Sequence, residues 1–141
     1  MPSPKPVRVF IIDDNELART VLRMIFRTHG FEIVGEAKSD RDILEQLELN
    51  APDVVCLDIL METCNGLDVL KRIKAAIPDL PVFMITGSND LQTVQKAIDR
   101  GADGFIIKPI RAGTVIDMIE KRLAQRPSLP PSTDMDSALD L

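Results

Sequence analysis

Along the chain, unbroken apolar runs of strand length alternate with polar segments in which apolar residues return every three or four positions. The runs are VRVFII (7–12), FEIVGEA (31–37), DVVCLD (53–58), PVFMIT (81–86) and GFIIK (104–108). Between and after them come Leu17, Val21, Leu22 and Ile25, then Ile43, Leu44 and Leu47, then Leu67, Leu70 and Ile73. Leu91, Val94, Ala97 and Ile98 follow, and last Val115, Met118, Ile119 and Leu123. A period near 3.6 marks an amphipathic helix and a short continuous apolar run a buried strand, so the pattern predicts five β-α units. Gly30 and Gly101 fall where helices stop, while Ser39 or Asp40, and Asn89 or Asp90, fall where N-caps belong. Strict alternation implies a parallel sheet covered by helices on both faces, which explains why the third and fourth runs are apolar throughout. Right-handed crossovers then give an open, doubly wound α/β sheet. Met24, Met84 and Met118 sit at core spacing and are expected to fill gaps there.

Length and composition narrow this picture. The 141 residues fit one domain, expected over 7–125. Residues 1–6 read as a flexible lead-in and 126–141 as a Pro/Ser/Asp-rich disordered tail or linker. The residues after Arg126 carry −3 of the net charge of −5, so the body itself is close to neutral. A negative chain disfavours direct nucleic-acid binding, which needs a surplus of Lys and Arg. No apolar run reaches the length of a membrane span, and MPSPKPVRV lacks the apolar core of a signal peptide. The expected location is cytoplasmic. Cys56 and Cys64 form no disulfide or zinc framework. His29, the single histidine, stands beside Gly30 where it suits a helix C-terminus.

Ligands of open α/β sheets gather beyond the carboxyl ends of the strands. The first strand delivers Asp13 and Asp14 there, the third Asp58, the fourth Thr86 and the fifth Lys108. An Asp after a strand is commonly an N-cap, but four strand ends supplying reactive groups point to one site. Three clustered carboxylates cannot all ionise cheaply. A hard divalent cation, Mg²⁺, suits such an oxygen-lined site. Asp is also a covalent nucleophile in phosphoryl transfer, and Lys and Thr can hold the transferred oxygens.

The set IIDDNE, VVCLDILMETCNG, VFMITGS and GFIIKP resembles the receiver domain of two-component response regulators, over residues 7 to about 125. The flavodoxin-like strand order 2-1-3-4-5, known for chemotaxis receivers, comes with the resemblance and not from the periodicity. The resemblance implies that Asp58 is the phosphoacceptor, supplied by a sensor histidine kinase, a phosphotransfer protein or a small phosphodonor. It implies Mg²⁺ on Asp14, Asp58 and the backbone carbonyl of Leu60, with Asp13 acting mainly through water. Lys108 is then the partner of Asp58 and its phosphoryl group, in a Lys108–Pro109 turn expected to be cis. Thr86 and Phe105 are the switch residues, and residues 90–124 the surface that meets a downstream protein or a phosphorylation-dependent dimer partner. The protein is then not an enzyme beyond its own phosphorylation and dephosphorylation.

The chain departs from the family pattern at Met61-Glu62, where receivers often carry Met-Pro, and at Phe105, where Tyr is commoner. Leu60 and Ser88, at positions that the resemblance marks as tuning dephosphorylation in that family, are respectively apolar and small. Rival readings are a receiver cut from a multidomain regulator, a scaffold whose site no longer switches, and an aspartate-nucleophile phosphatase of the haloacid dehalogenase type. The phosphatases carry Asp-x-Asp on the first strand, whereas the first strand here ends in a bare pair. A flavodoxin-type FMN carrier needs a phosphate loop where DDNE would repel FMN.

Overall fold

The computed structural model describes residues 5–87 and 90–125. The expected lead-in (in its residues 1–4), the tail 126–141, Ser88 and Asn89 lie outside the described residues. Ten elements alternate strictly: β1 (Arg8–Ile12), α1 (Glu16–Thr28), β2 (Glu32–Ala37), α2 (Ile43–Asn50) and β3 (Val54–Asp58) come first. Then follow α3 (Gly66–Ala76), β4 (Val82–Thr86), α4 (Leu91–Asp99), β5 (Gly104–Ile107) and α5 (Ala112–Ala124). All strand pairs are parallel, in the order β2-β1-β3-β4-β5. This is the flavodoxin-like, doubly wound arrangement.

Every residue of β3 and β4 is buried, because helices cover both faces of the sheet. Phe10, Ile12, Val55, Leu57, Val82 and Met84 point to one face, where Ile43 and Leu47 of α2, Leu70 and Ile73 of α3 and Ala97 of α4 meet them. Val9, Ile11, Cys56, Phe83 and Ile85 point to the other, against Leu22 and Phe26 of α1 and Val115 and Ile119 of α5. Successive strand residues face opposite sides, so one apolar run feeds two cores.

Glycine fixes the sheet edges by close approach. Gly35 of β2 lies opposite Phe10 of β1, and Gly104 of β5 is packed by Phe83 of β4. A Cβ on Gly104 would stand 2.6 Å from the Phe83 ring, so each phenylalanine lies flat over its neighbouring strand only because no side chain is there.

Three expectations are corrected. Neither Ser39 nor Asp40 caps α2: the cap is Asp42, in the left-handed region at φ 53° with no side-chain bond to the helix. Ser39 Oγ instead accepts from the Arg41 N–H, and Asp40 pairs with Arg72 of α3. Met24 is 64% exposed and fills no core gap. It stands two residues from both Leu22 and Phe26, hence about 200° around the helix from the buried stripe. Leu17, Leu91 and Ile98 are exposed as well, so the buried stripes of α1 and α4 are narrower than the apolar spacing predicts. The other caps agree: Asp90 Oδ1 accepts from the Gln92 N–H, and His29 is the C-cap of α1. The His29 ring nitrogen Nδ1 lies 3.0 Å from the Ile25 carbonyl oxygen.

Candidate functional site

The carboxyl ends of β1 and β3 bring the three predicted carboxylates together. One oxygen each from Asp13, Asp14 and Asp58 lies within 4.8 Å of the others. Asp13 is 0% and Asp58 4% exposed, the depth expected of groups that end fully buried strands, while Asp14 is half-buried. Thr86, at the end of β4, is 3% exposed. Lys108 follows β5 directly. Its N–H donates to the Thr86 carbonyl at 2.9 Å, and its Nζ stands 3.9 Å from Asp58 Oδ1. The Lys108–Pro109 bond is cis.

Like charge and burial act together here. Burial, then the neighbouring Asp13 charge, push the Asp58 carboxyl up to about 6 against the pull of Lys108. Burial also raises Asp13, opposed by the Asn15 N–H and by Lys108. Asp13 Oδ2 is buried with no hydrogen-bond partner among the described residues. A buried acceptor without a donor costs free energy in the folded state. An oxygen-only donor set with an orphaned buried carboxylate oxygen is what a hard divalent cation takes, so the residues present fit Mg²⁺.

Backbone geometry holds the cluster, and most of this lay outside the sequence reading. The Asn15 N–H donates to Asp13 Oδ1 (2.9 Å), while the Asn15 side chain caps α1 through the Ala18 N–H. The Arg19 guanidinium donates to the Asp13 carbonyl at 2.6 Å. The Glu62 N–H donates to Asp14 Oδ2 at 2.7 Å, which ties the β3–α3 loop to the acidic pair. Glu62 thus engages the site through its backbone. Met61 tucks into the core and anchors the same loop. The loop closes tightly at Gly66, where a Cβ would stand 2.1 Å from the Asp58 carbonyl oxygen. Asn15 was findable as a polar residue just ahead of a helical stripe, but a hydrogen bond between Glu62 and Asp14 leaves no mark in either segment.

Leu60 sits in this loop with its side chain exposed and its backbone bridged to Asn65. Phe105 is half-buried beside the α3 face of the core, opposite Met84. Beside Asp14 a cleft of about 680 Å³ opens between Lys38, Asp40 and Glu62. Of the remaining candidates, Cys56 is buried and free, its thiol pushed by burial up to about 12, and Cys64 is free and half-buried.

The family model for the response regulator receiver domain matches residues 9–120. The chain belongs to that family. As a receiver it is similar to the chemotaxis protein CheY of Thermotoga maritima, 33% identical over 114 residues that cover 81% of this chain and 95% of that one. It is also similar to the response regulator protein VraR of Staphylococcus saprophyticus, 30% identical over 117 residues. That match covers 82% of this chain and 56% of VraR, so the receiver spans about half the length of that relative. Among solved structures, the CheX-CheY-BeF₃-Mg²⁺ complex of Borrelia burgdorferi matches with a TM-score of 0.78 and 28% identity, covering 82% of this chain and 88% of that one. Membership makes this a two-component signalling module, a class of phosphorylation-dependent switches, and weighs against the phosphatase and FMN-carrier readings. No described helix is long and apolar enough to cross a membrane.

Proposed function

We propose that this receiver takes a phosphoryl group on Asp58 from a sensor histidine kinase, a phosphotransfer protein or a small phosphodonor. One observation carries the reading: the lone carboxylate of β3 lies 4% exposed between the acidic pair and the Lys108 ammonium. An Asp58 oxygen forms the new bond to phosphorus as the bond from phosphorus to the donor breaks, and the donor departs with that electron pair. Asp13, Asp14, Asp58 and the Leu60 carbonyl would hold Mg²⁺, which when bound supplies positive charge that offsets the carboxylates toward an incoming phosphate. Lys108 is close enough to neutralise Asp58 beforehand and the phosphoryl oxygens afterwards.

Signalling then follows from differential contacts. A phosphoryl group brings close to two negative charges and three acceptor oxygens. Thr86, whose backbone is bonded to Lys108, turns its hydroxyl to one of those oxygens, and Phe105 rotates into the space behind it. This biases the surface of α4, β5 and α5, residues 90–124, toward the state that binds a downstream protein. A swing from mostly off to mostly on needs roughly 5.5 kcal/mol of such preference. The resemblance to a CheY found with CheX, beryllofluoride and Mg²⁺ supports a partner that recognises the phosphoryl-loaded form.

The test is labelling by acetyl phosphate with Mg²⁺, read by intact mass. The native chain is expected to gain one phosphoryl group and Asp58→Asn none; continued labelling of that variant moves the acceptor elsewhere. Lys108→Ala is expected to separate labelling from partner capture, and full switching in the labelled variant removes the lysine from the switch.

A further inference from the structure

The acidic pair is contacted by a cation through its backbone and not through a carboxylate. Arg19 lies one turn into α1, with its side chain 16% exposed. Its Nη1 donates to the Asp13 carbonyl oxygen at 2.6 Å, and its Nε stands 3.4 Å from Glu36 Oε1 on β2. Glu36 is itself gripped by Arg23 one turn further on, through Nε at 2.6 Å and Nη2 at 2.8 Å. The Asp13 N–H donates to the Ala37 carbonyl of β2, and the Asn15 N–H occupies Asp13 Oδ1. Each polar group of Asp13 is therefore committed to a neighbour except Oδ2, the buried oxygen without a donor. The Asp13 backbone is held at its N–H by the Ala37 carbonyl and at its carbonyl, which belongs to the Asp13–Asp14 peptide, by Arg19, and Oδ2 is left without a donor.

We infer that Arg19 is a positioning residue for the cation site, fixing the Asp13–Asp14 peptide through the Asp13 carbonyl while Glu36 fixes the guanidinium. This rests on the Mg²⁺ site proposed above and concerns how this chain builds it. Arginine suits the task because its planar fork serves two acceptors at once, which a lysine cannot do in the same geometry. Groups that orient metal ligands matter to affinity nearly as much as the ligands.

Charge and positioning predict opposite signs, which makes the inference testable. Arg19→Gln removes a positive charge beside a cation site, so electrostatics alone would tighten Mg²⁺ binding. Loss of positioning weakens it, by about tenfold or more on the scale seen for groups that orient metal ligands. Mg²⁺ would be titrated at constant ionic strength into ¹⁵N-labelled protein, following the amide shifts of Asp13 and Asp14. Weaker binding in Arg19→Gln, intermediate binding in Arg19→Lys and native binding in Arg23→Gln, which cuts the Glu36 pair but spares the Asp13 contact, are the expected results. Unchanged or tighter binding in Arg19→Gln overturns the inference, as does an equal loss in Arg23→Gln. Should Arg19→Gln fail to fold, Arg19→Lys and Glu36→Gln carry the test, and native affinity in both overturns it. Native protein that binds no Mg²⁺ overturns the site and this role together, whereas native binding with an indifferent Arg19→Gln removes this role alone.

Discussion

At the amino ends of β4 and β5 a single carboxylate is surrounded by donors that include two cations; at the carboxyl ends of β1 and β3 three carboxylates crowd together, with Lys108 Nζ 3.9 Å from Asp58. Asp103 accepts from Lys74 Nζ, Arg122 Nε and the Val82 N–H, each at 2.8 Å. Its burial would raise the carboxyl, yet the Lys74, Val82 and Arg122 hydrogen bonds together hold it below the usual range. Asp58 is as deeply placed, but burial and the Asp13 charge win, and its carboxyl rises to about 6. The same residue type at opposite edges of one sheet thus does opposite work. Asp103 joins α3, β4, β5 and α5, whereas the upper cluster stores repulsion that a cation or a phosphoryl group can relieve.

The sharpest break of this contrast is Asp103→Ala. It leaves Lys74 and the Val82 N–H without their shared acceptor, and stability is expected to fall by about 3 to 5 kcal/mol in urea unfolding. Because the Asp103 carboxyl is depressed, its contribution is present above the unfolded value and is lost as pH falls through the folded one.

Asp58→Asn should have the opposite sign. A carboxyl raised from 3.8 to about 6 opposes folding at neutral pH, because the folded chain binds that proton more tightly than the unfolded one. The variant without Mg²⁺ is expected to gain about 3 kcal/mol at pH 7, and the gain should close as pH drops from 6 toward 4. Unfolding curves across that range decide it.

A cation should narrow the difference between the two edges. Mg²⁺ at 100 times its dissociation constant is expected to add about 2.7 kcal/mol to the native protein, and much less to Asp58→Asn. Thermal melts with and without EDTA read this. The smallest effect belongs to Arg72→Ala, which removes the ion pair to Asp40, half open to solvent on both sides. A loss of roughly 0.5 kcal/mol or less would show that pairing matters at Asp103 because the group is buried.

Much of this architecture is legible in the residues because its signals are local. The apolar runs place all five strands to within about one residue, since β3 and β4 are buried on both faces and so read as unbroken apolar sequence. The site carboxylates are legible for a related reason: each stands where an apolar run stops. What escaped was set by neighbours from remote segments. Met24 repeats the spacing of a core residue, yet the face it occupies depends on where the sheet lies beneath α1. Ser39 and Asp40 look like caps, but Asp40 is drawn to Arg72, 32 residues away.

The alternation of elements, the sheet with two cores and the reactive groups that its strand ends can offer are all set by residue order, because burial and backbone period are written residue by residue. How those groups are held depends on the assembled fold: Arg19 on the Asp13 carbonyl, the Glu62 N–H on Asp14, and Lys108 3.9 Å from Asp58. Hydrogen bonds and Coulomb forces act over a few ångströms of space. The Lys108–Asp58 pair alone joins residues 50 apart in the chain, so the distances exist only once the sheet has assembled.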